Sequence, residues 1–162
     1  MFLYIPWRLS AGDHVVREGD SAPEFRLMGS DGREHTLSEF RGSRLVLYFY
    51  PRDDTPGCTT EAKEFNGTLA ELEGKGAKVV GVSKDSLESH EKFRKKYGLN
   101  FLLLSDPESR TIKEYGSYGD RGIFGMGTLR KTFIIGKTGK IEKVFDKVSP
   151  KGHGAEVASC VA

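Results

Sequence analysis

Apolar residues along this chain fall into short clusters whose spacing changes from one cluster to the next. Leu45-Val46-Leu47-Tyr48-Phe49-Tyr50 is an unbroken apolar run, the pattern of a strand covered on both faces. Pro51 ends it, since proline has no N–H to continue a ladder. Ala62, Phe65, Leu69 and Leu72 then recur at steps of three and four, which predicts a helix from Thr59 to Glu73 closed by Gly74. A second strand follows at Lys78 to Val82. Ser86 is placed to cap a polar helix reaching Tyr97, with Gly98 as its stop before the apolar Phe101-Leu102-Leu103-Leu104. A short helix around Thr111 to Tyr115 and a Gly-rich loop, Gly116 to Leu129, lead to the strand Lys131 to Ile135. The turn Lys137-Thr138-Gly139-Lys140 then opens a last strand, Ile141 to Asp146. Upstream, Glu24 to Met28 and Glu34 to Leu37 flank Ser30-Asp31-Gly32 and read as an N-terminal hairpin.

Strands alternating with helices and ending in a hairpin imply an α/β fold with a central mixed sheet and helices on both faces. Residues 1–15 read as an N-terminal extension and residues 16–162 as a single domain, without repeat or linker. Twenty-five basic residues against 23 acidic leave a net charge of +2, and no block of one sign dominates, which argues against a nucleic-acid partner. The opening Phe2-Leu3-Tyr4-Ile5-Pro6-Trp7 is too short, and too interrupted by proline, to be an export signal. No apolar run approaches the roughly 20 residues of a membrane helix, so a cytoplasmic protein without a membrane partner is expected.

The chain has two cysteines, Cys58 and Cys160, in unlike contexts, so neither a disulfide framework nor a cysteine zinc site is suggested. His14, His35, His90 and His153 are scattered and read as surface residues, and no metal is expected. The informative stretch is Tyr50-Pro51-Arg52-Asp53-Asp54-Thr55-Pro56-Gly57-Cys58-Thr59-Thr60-Glu61, where the buried strand passes into the long helix. In open α/β sheets, ligands gather beyond the carboxyl ends of the strands. A helix N-terminus there offers unpaired N–H groups and positive potential, which favour thiolate over thiol. The Thr55 hydroxyl is near enough in a turn to meet the Cys58 sulfur or an incoming oxygen, and Pro51 and Pro56 stiffen the turn and shield the sulfur. A cysteine kept for packing has no need of this arrangement, whereas a nucleophile does. Asp53 and Asp54 read as solvated turn residues.

Pro51, Thr55 and Cys58 resemble the Pro-x-x-x-Thr/Ser-x-x-Cys signature of peroxiredoxins. The fuller Tyr-Pro-x-Asp-x-Thr-Pro-Gly-Cys-Thr-x-Glu-Ala run is similar to the bacterioferritin-comigratory, or PrxQ, subfamily. Asp20-Ser21-Ala22-Pro23-Glu24-Phe25, Leu104-Ser105-Asp106 and Arg130-Lys131-Thr132-Phe133-Ile134-Ile135 also fall where that subfamily has them. The resemblance implies a thioredoxin-like fold and reduction of hydrogen peroxide or organic hydroperoxides, with no cofactor, by Cys58 passing through a sulfenic acid. It gives Thr55 the hydroxyl that orients the peroxide. Arg130 becomes the guanidinium that stabilises the thiolate and the leaving oxygen. Glu61, one turn from Cys58 on the same helix face, and Gly57 are supporting residues; Glu61 is placed either to hold Arg130 or to face solvent. A monomer or weak homodimer is implied.

The sequence departs from the subfamily at Lys63, where many members carry a resolving cysteine, and the helix Ser86 to Tyr97 contains none either. Cys160 is the remaining candidate, in a short tail expected to fray. The expectation is therefore a one-cysteine cycle, in which an external thiol from thioredoxin, glutaredoxin or glutathione regenerates Cys58. Ile123, Phe124 and Met126 either line the peroxide entrance or pack within their own loop. Two other classes compete. A disulfide oxidoreductase needs Cys-x-x-Cys, but Thr59, Thr60 and Glu61 follow Cys58. A non-catalytic redox-sensing or binding module on the same fold draws on the missing resolving cysteine and the extension.

Overall fold

The computed structural model describes residues 15–162, so of the extension only Val15 is included, and His14 lies outside the described residues. In chain order the elements are β1 (Arg26–Gly29), β2 (Glu34–Thr36), a 3-10 turn (Leu37–Phe40), β3 (Arg44–Phe49), α1 (Pro56–Gly74), β4 (Ala77–Ser83), α2 (Leu87–Tyr97) and β5 (Leu102–Ser105). They continue with α3 (Arg110–Glu114), β6 (Tyr118–Asp120), β7 (Met126–Thr128), β8 (Lys131–Ile135), β9 (Ile141–Phe145) and α4 (His153–Ser159). Seven strands form one sheet in the order β2-β1-β5-β4-β3-β8-β9. The pairs β3–β4 and β4–β5 are parallel, and β1, β8 and β9 join antiparallel, so the sheet is mixed as the pattern of elements implied.

Alternation along the central strands divides the core in two. Val46, Tyr48 and Tyr50 of the β3 segment and Ile134 of β8 meet Cys58, Phe65 and Leu72 of α1, Phe93 of α2 and Val157 of α4. Leu45, Leu47, Phe49, Phe133 and Ile135 point to the other face, onto Leu37 and Phe40 of the 3-10 turn, Ile112 of α3 and Tyr115. Helices thus cover both faces, and β3 is buried on both, as its unbroken apolar run requires. Each fully buried aromatic, such as Phe65, contributes about 1.5–3 kcal/mol.

The differences from the sequence reading have local causes. Helix α1 starts at Pro56 rather than Thr59, because proline suits the first helical position, where its missing N–H costs nothing. Its left-handed stop is Gly76, at φ +77°, rather than Gly74. Helix α2 has the expected ends: the Ser86 hydroxyl accepts from the Ser89 N–H, and Gly98 is left-handed. The Gly-rich loop contains the small β6–β7 hairpin. Its tip residues Ile123, Phe124 and Met126 are exposed, Ile123 at 97%, and the Arg121 guanidinium lies 5.2 Å from the centre of the Phe124 ring.

The C-terminal tail, expected to fray, folds as α4. Val157, Ala158 and Val161 are buried, and the Lys75 ammonium donates to the Ala158 carbonyl at 2.9 Å. Gly154 permits the contact with α1, since a Cβ there would lie 2.5 Å from the Glu64 carbonyl oxygen. Gly154→Ala is expected to destabilise the protein by about 1–3 kcal/mol through overpacking. Urea denaturation reads this directly, and an unchanged midpoint would mean that α4 shifts freely.

Candidate active site

The segment from Tyr50 to Thr55 leaves the end of β3 and turns into α1, with Pro51 buried and Pro56 exposed. Thr55 is the residue before the helix, and its carbonyl accepts from the Thr59 N–H at 2.8 Å. Cys58 therefore sits in the first turn of α1, among the unpaired N–H groups. Its side chain is 1% exposed and belongs to the core between α1 and the sheet.

Arg130, between β7 and β8, reaches this turn from the start of the strand paired with β3. Its Nη2 donates to the Cys58 Sγ at 3.4 Å, and its Nη1 donates to Glu61 Oε1 at 2.8 Å. Glu61 is fully buried, which resolves the alternative between holding Arg130 and facing solvent in favour of the first. Burial pushes the Glu61 carboxyl up to about 7, against the opposing pull of Arg130. Burial also works against the charge on Arg130, but Glu61 and Cys58 hold its guanidinium above the ordinary value. Gly57 leaves room for the approach: a Cβ at that position would lie 3.1 Å from Arg130 Nη2, and the guanidinium would have to give by a few tenths of an ångström.

Thr55 does not make the first of the two contacts open to it, that with the sulfur. Its hydroxyl donates to the Arg52 carbonyl at 2.8 Å, with no bond to the sulfur. With its one proton engaged there, the hydroxyl faces other groups only as an acceptor, which suits the O–H of a hydroperoxide. Lys63, at the place of the absent cysteine, is exposed with its ammonium 4.9 Å from the centre of the Tyr97 ring. Cys160 ends α4 as an exposed free thiol, and Cys58 is a buried one. A cavity of about 620 Å³ between the N-terminal hairpin and α3, lined by Glu24, Arg26, Asp106 and Arg110, contains none of these residues.

Two histidines read as surface residues are buried. His153 lies between the rings of Phe65 and Phe145, with its nitrogens on Thr132 Oγ1 and Glu156 Oε1, and burial lowers its proton affinity. His90 is fully buried beside Asp53, Ser89 and the Leu104 carbonyl. His35 is half-buried between Asp31 and Glu39. The reading of Asp53 as a solvated turn residue is likewise overturned: it is buried and accepts from Tyr50, Ser89 and His90. Asp54 does face solvent, bonded to Lys96 and Tyr97. Asp53 and His90 were missed because they stand 37 residues apart, and His153 because Thr132 comes from 21 residues away; only Tyr50–Asp53 and His153–Glu156 are local contacts. The donor atoms of Asp53, Asp85 and His90 lie within 4.8 Å of one another, a grouping that the expectation of no metal had not considered.

Residues 18–144 match the AhpC/TSA family. A putative peroxiredoxin Bcp of Helicobacter pylori is 46% identical over 142 residues, covering 86% of this chain and 93% of that protein. Peroxiredoxin Bcp of Bacillus subtilis is 43% identical over 145 residues, covering 88% and 92%. The crystal structure of a Cys-to-Ser variant of Xylella fastidiosa PrxQ superposes with a TM-score of 0.86 at 38% identity, over 91% of this chain and 95% of that one. With the thioredoxin-like sheet and the sulfur–guanidinium contact in place, the chain belongs to the AhpC/TSA family and, within it, to the Bcp/PrxQ peroxiredoxins, which are thiol-dependent peroxidases.

Proposed function

We propose that Cys58 is the atom that attacks the peroxide, hydrogen peroxide or an organic hydroperoxide, and that the cycle uses this cysteine alone. The observation that carries the reading is the Arg130 guanidinium on the Cys58 sulfur, braced by buried Glu61. The Cys58 thiolate attacks the terminal peroxide oxygen and displaces the other: an S–O bond forms, the O–O bond breaks, and the sulfur loses two electrons to the peroxide. The leaving oxygen departs as alkoxide or hydroxide and takes a proton to become alcohol or water. Arg130 stabilises the charge at both ends of this displacement. Pro51 shapes the turn, and Thr55 accepts from the hydroperoxide O–H.

The resulting sulfenic acid condenses with an external thiol, releasing water, and a second thiol clears the mixed disulfide. The exposed Lys63 and the burial of Cys58 apart from exposed Cys160 favour this route. Glutathione, glutaredoxin and thioredoxin are the reductants to compare. Two free cysteines fit a cytoplasmic setting, and among the described residues no helix is long and apolar enough to cross a membrane. The subfamily likeness supports a monomer or weak homodimer.

Peroxide consumption with added thiol tests the activity, and absence of turnover with every donor overturns it. Intact mass after equimolar peroxide tests the cycle. The expected product is a gain of about one oxygen that persists in Cys160→Ser. A loss of about two mass units that requires Cys160 would sink the one-cysteine cycle.

A further inference from the structure

The turn that presents Pro51, Thr55 and Cys58 is held from behind by a buried polar cluster that takes no part in the chemistry described above. Asp53 is its centre. Its Oδ1 accepts from the Tyr50 hydroxyl at 2.6 Å, and its Oδ2 faces the Ser89 hydroxyl at 2.8 Å and His90 Nδ1 at 2.7 Å. Its backbone N–H donates to Asp85 Oδ2 at 2.9 Å, and the Ser83 hydroxyl fixes that same oxygen at 2.6 Å. His90 Nε2 reaches the Leu104 carbonyl at 2.9 Å. The cluster thus ties the turn to the ends of β3, β4 and β5 and to α2, all in one place.

The hydrogen bonds fix its proton inventory. A carbonyl only accepts, so His90 Nε2 carries a hydrogen. Nδ1 faces a carboxylate oxygen, so a second proton lies between Nδ1 and Asp53 Oδ2. Burial of Tyr50, with Asp53 beside it, keeps that hydroxyl well above the ordinary tyrosine value and therefore a donor. Both Asp53 oxygens, both His90 nitrogens and Asp85 Oδ2 are engaged in hydrogen bonds with protein groups, so the grouping reads as a latch rather than an ion site. Removing one partner of such a buried pair leaves the other uncompensated, which concentrates the effect on the one segment that both partners hold.

We propose that Asp53 and His90 are positioning residues that latch the Pro51–Thr55 turn shut. The latch keeps Cys58 buried against Arg130 for attack on peroxide and sets how often the sulfur opens to a reductant. The catalytic half of this proposal rests on Cys58 being the peroxide-attacking atom. Closed, the sulfur has its guanidinium but is 1% exposed, so a bulky thiol meets it only after the turn and the first turn of α1 give way. Loosening the latch therefore moves the two half-reactions in opposite directions.

Asp53→Asn and His90→Gln keep approximate shape and remove the carboxyl–imidazole hydrogen bond. In a Cys160→Ser background, each is expected to slow oxidation of Cys58 by peroxide about tenfold and to speed both thiol reduction of the sulfenic acid and alkylation of the reduced thiol by a similar factor. The double variant is expected to be no worse than the worse single, since the two residues act as a unit. Hydrogen exchange supplies a readout independent of peroxide chemistry: amides of residues 52–59 lose protection while those of β3 and β8 keep it. Unchanged exchange and alkylation in folded variants would overturn the latch, as would a loss of protection spread evenly over the sheet. If the parent protein fails to consume peroxide, the peroxidase reading of Cys58 falls, yet exchange and alkylation still decide whether Asp53 and His90 hold the turn.

Discussion

Replacing Cys58 with serine is expected to reduce thiol-dependent peroxide consumption to the uncatalysed background while the protein stays folded. The displacement needs an atom that is nucleophilic near neutral pH and able to give up two electrons. A serine oxygen is neither, and among the described residues no other thiol stands beside the Arg130 guanidinium to substitute for the sulfur. The fold itself depends on Cys58 only through packing at the α1 and sheet contact, where oxygen replaces sulfur with little change of shape. The cost is on the order of 1 kcal/mol, or about 2–4 °C in Tm. Cys160→Ser is the matched control, since that thiol is exposed at the end of α4 and should leave turnover in place. Peroxide loss followed with thiol in excess, alongside thermal unfolding of both variants, separates chemistry from folding. Undiminished turnover in Cys58→Ser would remove the sulfur from the mechanism.

Features governed by neighbours in sequence could be read in advance. The unbroken run Leu45 to Tyr50 announced a strand buried on both faces, and Ser86 and Gly98 announced the two ends of α2, because those signals act within a few residues. Helix α4 escaped because its buried residues are His153, Gly154, Val157 and Ala158, with a single large aliphatic among them, and because Gly154 lies against the Glu64 carbonyl of a distant helix. The contacts of Arg130 with Cys58 and Glu61 span 72 and 69 residues, so no periodicity contains them. Only the likeness of Arg130-Lys131-Thr132-Phe133-Ile134-Ile135 to a known pattern pointed there. Asp53 lies inside the Tyr-Pro-x-Asp-x-Thr run, but nothing in that run pointed to His90, 37 residues away, and composition favoured the wrong reading, since histidine and aspartate are commonly exposed. The residues that place the sulfur are the ones a linear reading hides, because their partners come from other strands and helices.

Arg130→Met is expected to lower the rate of peroxide attack by about 10²–10³ with Cys58 still present and folded in its turn. Methionine retains much of the packing but removes both donors, so the leaving oxygen and the sulfur lose their shared cation. Glu61 loses its only partner, Oε2 being already without one among the described residues. Arg130→Lys keeps a charge without the planar fork and should fall between the two. Glu61 adds a pH signature. Its carboxyl, pushed by burial from 4.5 to about 7 against the pull of Arg130, is neutral in the folded protein below that range and ionised above it. Between 4.5 and about 7 the folded state therefore holds a proton that the unfolded state has lost, so stability is fully present below the window and declines as pH rises through it. Ionisation also draws part of the Arg130 field away from the sulfur as pH passes about 7. Glu61→Gln keeps an acceptor for Arg130 Nη1 and abolishes the titration, so both the decline in stability and the component of the attack rate that titrates near 7 should vanish. Stopped-flow oxidation and urea midpoints across this range, in the parent and in Glu61→Gln, give the comparison. Identical pH profiles in the two proteins would show that Glu61 supports Arg130 by packing alone.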